Sequence, residues 1–167
     1  YSLIYSNQKL LYDALYHAAH QTMEELSADP KHLGAGIGYI CVLHTWGSRM
    51  NYHPHLHTIV LGGGLDAANK WKDKGKKFFF PVKVMSAVFK KYYLRELKQF
   101  WEDKKLEYHG TAAHLKNHYE FKALLNSLYD KNWVVYTKEA FNGADSVIHY
   151  LGRYTHRIAI SNRRIVS

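Results

Sequence analysis

Acidic residues, cysteine and proline are scarce in this 167-residue chain: 14 Asp and Glu stand against 23 Lys and Arg, beside one Cys and three Pro. The lone Cys41 can form no internal disulfide. Within the apolar run Gly-Tyr-Ile-Cys-Val-Leu it is expected to pack as a small hydrophobe, as suits a reducing cytosol. A chain of this length can bury a core without cross-links. No apolar run approaches the roughly 20 residues that cross a bilayer, and no basic segment followed by an apolar one opens the chain, so no membrane span is expected. Nor does any repeat or linker divide the sequence, which predicts a single domain over 1–167. The chain opens at Tyr1 without Met and stops at Ile165-Val166-Ser167 inside a strand-like stretch, so a fragment of a longer protein is expected.

The shortage of acid leaves a formal charge of +9 with histidines neutral, which favours an anionic partner. Aromatic residues make up 15% of the chain, and their faces are surfaces on which bases of single-stranded nucleic acid can stack. Charge alone does not separate nucleic acid from a ribosomal or lipid surface.

Apolar residues recur at helical spacing from Asn7 to Ala28 (Leu11, Ala14, Ala18, Met23 and Leu26 among them), and Asp29-Pro30 ends the pattern. Ile37 to Thr45 reads as a strand, 46–54 as a connection, and His55 to Leu61 as a second strand stopped by Gly62-Gly63-Gly64. Sequential strands this close most simply form an antiparallel pair. Lys70 to Lys77, with five lysines, reads as a solvated hairpin or loop. Val84 to Leu106 and Ala112 to Tyr129 have helical periodicity, and Trp133 to Thr137 has strand composition. Asn142-Gly143 is a turn, Val147 to Arg157 a short helix capped by Asp145 or Ser146, and Ile158-Ala159-Ile160 begins a last strand. The order predicts an α+β fold with a central, largely antiparallel sheet flanked by helices.

Chemistry concentrates between His44 and Leu65. His55 and His57 flank Leu56, and alternate residues of a strand share a face, so two imidazoles come together. A hairpin returns His44 beside them as a third ligand, leaving positions open for water and a phosphate oxygen, as metal-assisted phosphoryl chemistry requires. Twelve histidines in 167 residues give about one His-x-His by chance but only about 0.06 of three in alternation, as in His53-Pro54-His55-Leu56-His57. Pro54 cannot donate to a sheet ladder and separates His53 from the pair, so His53 is not counted as a ligand. The alternative is a hydrogen-bonded or solvated histidine patch.

Tyr150 and Tyr154 stand four apart on one helix face, where two hydroxyls could act in sequence at one site. The spacing is cheap, because Tyr1/Tyr5 and Tyr12/Tyr16 repeat it among 14 tyrosines. Surroundings separate the pairs. No acidic residue follows Asp145, while His149, Arg153, His156, Arg157, Arg163 and Arg164 gather there. Such cations neutralise a phosphodiester and favour a phenolate over the usual pKa of about 10. Gly152 costs a helix about 1 kcal/mol relative to Ala, which points to a strand or a DNA backbone passing close.

His-Leu-His at 55–57, the upstream His44 and the later paired-tyrosine helix resemble the HUH endonuclease superfamily of replication initiators, relaxases and transposases. His-Thr-Trp-Gly (44–47), His-Pro-His-Leu-His (53–57), Gly-Gly-Gly-Leu (62–65) and Tyr-Leu-Gly-Arg-Tyr-Thr-His-Arg-Ile-Ala-Ile-Ser-Asn-Arg-Arg (150–164) are most similar to the two-tyrosine transposases of bacterial insertion sequences that move by a rolling-circle route. The resemblance covers roughly 37–167. It implies an HUH, or Rep-like, nuclease domain that nicks and rejoins single-stranded DNA at transposon ends. Mg²⁺ or Mn²⁺ would sit on His55, His57 and His44, and Tyr150 or Tyr154 would form the 5′-phosphotyrosine. Arg153, Arg157, Arg163 and Arg164 would steer the DNA backbone, in the bacterial cytoplasm at the nucleoid. An all-imidazole set is softer than Mg²⁺ prefers, so Mn²⁺ fits better. Family members usually carry an N-terminal cysteine-rich zinc-binding segment, absent here, and continue beyond the last strand, which again suggests a fragment. A replication initiator or relaxase is the alternative within the superfamily. Outside it stand a metal-dependent hydrolase or oxygenase on a β-barrel and a non-catalytic basic nucleic-acid-binding module. Tyrosine hydroxyls far from the histidines would exclude the nuclease.

Overall fold

The computed structural model describes residues 2–47, 49–73, 75, 80–138 and 144–155, with side chains as far as Tyr150. Helix α1 (Ser2–Ser6) leads into α2 (Gln8–Ala28), which buries Leu11, Ala14, Ala18, Met23 and Leu26 at helical spacing. Helix α3 (Val82–Glu102) answers with Met85, Tyr93, Leu94 and Leu97. Ala14 and Ala18 present no bulk, so the two helices approach closely along this seam. Leu11 and Leu94 are fully enclosed there, each contributing about 1.5–3 kcal/mol by burial. A 3₁₀ turn (Gly110–Lys116) and α4 (His118–Asp130) close the same core through Ala112, Leu115, Phe121 and Leu125. A second cluster, Met23, Leu26, Phe80 and Met85, joins the helices to the sheet through Ile37, Tyr39 and Val60.

Asn7 separates α1 from α2 and ties both to a distant segment. Its buried amide donates to Leu3 O (2.8 Å) and Glu107 O (2.7 Å), and its carbonyl accepts from Glu107 N (2.7 Å). Removing such a group strands its partners, at roughly 1–3 kcal/mol per unsatisfied buried group. Asn7→Ala is therefore expected to destabilise the chain by about 2–3 kcal/mol, read from the urea midpoint at unchanged m-value.

The sheet has the order β1-β2-β3, all antiparallel, with β1 Gly36–Trp46, β2 Tyr52–Leu65 and β3 Trp71–Asp73. One face lies on α2 and α3: Tyr39 Oη meets His20 Nδ1 at 2.6 Å, and Leu43 N donates to Tyr16 Oη. Cys41 is half-buried beside Thr58 on β2, 3.2 Å away. The opposite face carries His44, His55 and His57 and leaves Ile40 and Leu61 exposed. Helix α5 (Ala144–Thr155) lies against β1. This mixed architecture, an antiparallel sheet flanked by helices, is the expected α+β arrangement and is consistent with an HUH/Rep-like fold. Among the described residues no helix is long and apolar enough to cross a membrane.

Several boundaries differ from expectation. The triple glycine does not stop β2. It lies within the strand, where a Cβ on Gly64 would overlap the Gly36 carbonyl and one on Gly63 would overlap the Lys72 carbonyl and the Trp71 ring. Glycine here permits close strand approach. Helix α3 ends at Glu102 because Lys104 turns into the left-handed region (φ 56°), after which Leu106 re-enters the core and imitates continued helical spacing. The helix expected over 112–129 is broken at Asn117, whose side chain accepts from Tyr119 N (2.8 Å) and Glu120 N (3.4 Å) and starts α4 afresh. Trp133 to Thr137 forms no strand. Trp133 is held by α3 and α4 instead: its indole donates to Leu128 O, its carbonyl accepts from Ser86 Oγ, and its ring packs on Phe89 and Tyr93. Asp145 and Ser146 lie inside α5 rather than capping it. The turn at 142–143 and the strand at 158–160 fall outside the described residues.

Candidate metal centre

The β1–β2 register sets His44 directly opposite His55 and Val42 opposite His57. Opposed residues of an antiparallel pair share a face, and so do residues two apart along a strand. All three imidazoles therefore converge on the face turned away from α2. The connection is shorter than expected, closing over 47–51 with Gly47 N donating to Asn51 O (2.9 Å) and Met50 N to Gly47 O (3.0 Å). Between the pairs His44/His55 and Trp46/Tyr52, two residues, His53 and Pro54, oppose Thr45 alone. This bulge accommodates a proline that has no N–H to offer the ladder.

The three histidines could hold a metal ion: one ligand nitrogen from each lies within 4.8 Å of the others. His44 is buried (7% exposed), and His55 and His57 are half-buried. His55 Nε2 and His57 Nε2 stand 3.0 Å apart. Two nitrogens each about 2.1 Å from one cation, at a right angle, would be separated by about that distance. The ring centroids of His44 lie 5.7 Å from His55 and 4.6 Å from His57, both edge-to-face.

Hydrogen bonding decides how protons sit on these rings. His55 Nδ1 is 2.7 Å from the His53 carbonyl, which only accepts, so Nδ1 carries the proton and Nε2 presents a lone pair. His57 Nδ1 is 3.2 Å from Tyr150 Oη. The tyrosine and the His55 nitrogen therefore address opposite ends of one imidazole. Burial pushes His57 down from the ordinary 6.5 to about 4, reinforced by the charges of His55 and His44. His55 is lowered as well, first by burial, with the His53 carbonyl opposing the shift. Both therefore stay neutral near pH 7, the form in which imidazole ligates.

A pH effect on stability follows. The unfolded chain protonates His57 near pH 6.5 and the folded chain only near pH 4, so between these values protons favour unfolding. In EDTA, stability is expected to decline as pH falls from about 6.5 to about 4, and His57→Gln to flatten that decline, read as the difference in Tm between pH 7.5 and pH 5.

Of the residues singled out from sequence, the fold brings together His44, His55, His57 and Tyr150, the last half-buried on α5. Tyr154 follows one turn later on α5, and Arg153 shares that helix; their side chains, like residues Arg157, Arg163 and Arg164 entire, lie outside the described part. Two contributors escaped sequence reading. His53 acts through its carbonyl, and Trp46 lies flat against His44 with ring centroids 5.1 Å apart and planes 12° apart. Their signal was position: one is two residues before His55, the other two after His44.

Residues 38–167 match the family model Y2_Tnp, "Putative transposase". The chain belongs to this transposase family. It is 40% identical over 166 residues to "Putative transposase y4qJ" of Sinorhizobium fredii (strain NBRC 101917 / NGR234), covering 99% of this chain and 42% of that protein. It is 28% identical over 164 residues to "Transposase for insertion sequence element IS801" of Pseudomonas savastanoi pv. phaseolicola, covering 98% of this chain and 38% of that protein. This transposase-family chain thus spans about two-fifths of the length of those curated relatives. No solved structure matches it.

Proposed function

We propose that residues 1–167 form the nuclease domain of a longer bacterial transposase, nicking and rejoining single-stranded DNA at the ends of an insertion sequence through a 5′-phosphotyrosine. The observation that carries this reading is the 3.2 Å separation between Tyr150 Oη and His57 Nδ1, at the far end of the ring whose Nε2 faces His55. A nucleophile and a candidate metal ligand share one imidazole. The relatives' names as transposases support the DNA-processing role; work in the bacterial cytoplasm, at the nucleoid, is part of this proposal.

His55, His57 and His44 would hold the divalent cation, and Mn²⁺ suits three imidazoles better than Mg²⁺. Bound, it would supply charge neutralisation and polarise the scissile phosphate. His55 is prepared for this duty by the His53 carbonyl, which fixes its proton on Nδ1 and directs Nε2 inward. With Nε2 given to the cation, His57 would keep its proton on Nδ1 and donate it to Tyr150 Oη. That hydrogen bond would favour the phenolate, the form in which the tyrosine attacks. Attack by Tyr150 Oη on phosphorus forms the P–O(Tyr) bond and breaks the P–O3′ bond. The phenolic proton is lost to solvent and the departing 3′-oxygen gains one, so a free 3′-hydroxyl remains while the 5′-phosphate stays on the protein. Tyr154, one turn along, would serve the second cleavage or the transfer, and Arg153, Arg157, Arg163 and Arg164 would hold the DNA backbone.

The test uses single-stranded oligonucleotides tiling the insertion-sequence ends, labelled at the 3′ end. With Mn²⁺ an SDS-resistant labelled protein band is expected, lost in EDTA and absent with the same sequences as duplex. Cleavage products without any protein-bound label would overturn the tyrosine mechanism, and equal adduct on duplex would overturn the single-strand preference.

A further inference from the structure

Each imidazole of the triad meets a group able to set its orientation, and the three groups differ in kind. His55 is held by a carbonyl and His57 faces a phenol. His44 lies against a face: the indole of Trp46, parallel to within 12° at a centroid separation of 5.1 Å. We propose that Trp46 is a positioning residue for metal binding, acting through His44; this rests on the reading of the triad as a metal site.

His44 joins the triad from a strand of its own. His55 and His57 follow one another on β2 with their Nε2 atoms already 3.0 Å apart, whereas His44 reaches the cluster from the neighbouring strand. Its ring is buried, with His57 edge-on at 4.6 Å and Trp46 stacked at 5.1 Å. Rotation of the imidazole about its ring-bearing bond would drive it into one or the other, so the indole restricts the ring plane and with it the direction of the ligand nitrogen. The chemistry of the neighbour matters too. An imidazole that ligates a cation becomes electron-poor, and the negative face of an aromatic ring stabilises an electron-poor partner within about 6 Å of its centroid, Trp best. Trp46 would thus favour the ligated over the free state of His44, which an aliphatic side chain of similar bulk would not. Its place at the last residue of β1, beside the tight 47–51 connection, holds the indole over the site.

Mn²⁺ binding is measured by electron paramagnetic resonance on the 167-residue chain, without DNA. Trp46→Leu is expected to weaken binding about tenfold, within the 10–100-fold range typical of groups that orient metal ligands, while Trp46→Phe stays within about threefold of wild type. Circular dichroism on each variant reports the fold. Should Trp46→Leu fail to fold, NMR of the wild-type chain decides. The His44 ring protons should be shifted upfield by the indole and remain so on titration with Zn²⁺; loss of the shift on metal binding would overturn the proposal. Trp46→Leu binding Mn²⁺ as tightly as wild type would overturn it too, while leaving the metal site intact. A wild type without saturable Mn²⁺ binding would overturn the metal-site reading and this inference together.

Discussion

Tyr150→Phe is expected to abolish the covalent DNA adduct, by roughly 10⁴-fold or more, while leaving the folded chain almost as stable as wild type. The magnitude follows from chemistry: the lost atom is the one that attacks, and removing a nucleophile from a site built around it is among the largest effects a single substitution can have. Stability should respond little, because the hydrogen bond to His57 Nδ1 that the hydroxyl makes lies at the edge of the histidine cluster and contributes about 1 kcal/mol. Tyr154→Phe makes the contrast. It should still form the first adduct on a suicide oligonucleotide and fail in the second cleavage. Equal first-adduct yields from the two variants would remove the distinction drawn between the tyrosines.

His57→Ala should be nearly as damaging, on the order of 10³-fold in cleavage, because it removes two functions together. One is a nitrogen 3.0 Å from its His55 counterpart; groups that merely orient ligands already contribute 10–100-fold to metal affinity, and a ligand contributes at least that, roughly. The other is the Nδ1 partner of Tyr150, the proposed donor once Nε2 is engaged, where losing one aimed hydrogen bond costs about 10²-fold. His53→Ala is the control that counting histidines would get wrong. His53 is exposed and serves His55 through its backbone carbonyl, which alanine retains, so cleavage should stay within about threefold of wild type. Isothermal titration with Mn²⁺ separates the two contributions of His57: weakened binding reports the ligand, and slower cleavage at saturating metal reports the partner of Tyr150.

How much of this site could be read in advance depended on whether a single periodicity decided it. Alternation placed His55 and His57 on one face, and a short antiparallel connection was enough to bring back His44, because cross-strand register is fixed once one face is buried. The tyrosine helix was legible in the same way. Features set by contact between distant segments were not. Gly63 and Gly64 looked like a strand stop, since glycine ends strands more often than it admits a neighbouring backbone, and only the approach of Gly36 and β3 explains them. Trp133 to Thr137 has the composition of a strand, but composition does not supply a ladder partner, and Trp133 found its partners in α3 and α4. The break at Asn117 was readable in principle: Asn followed three residues later by Glu120 is a helix-start signature, overlooked because the apolar spacing ran through it. Trp46 carried no periodic signal at all. Its role depends on ring planes.

The measurement that bears most directly on the whole account is mass mapping of the DNA adduct, and the sequence makes it unusually clean. Arg153 lies between the two tyrosines, so trypsin places Tyr150 in the peptide 139–153 and Tyr154 in the peptide 154–157. After a single turnover on a single-stranded suicide substrate with Mn²⁺, the nucleotide mass is predicted on 139–153, localised to Tyr150 by fragmentation, and absent when metal is withheld. Nucleotide mass on 154–157 alone, on any other tyrosine, or formed equally in EDTA would contradict the pairing of Tyr150 with the His44, His55 and His57 centre.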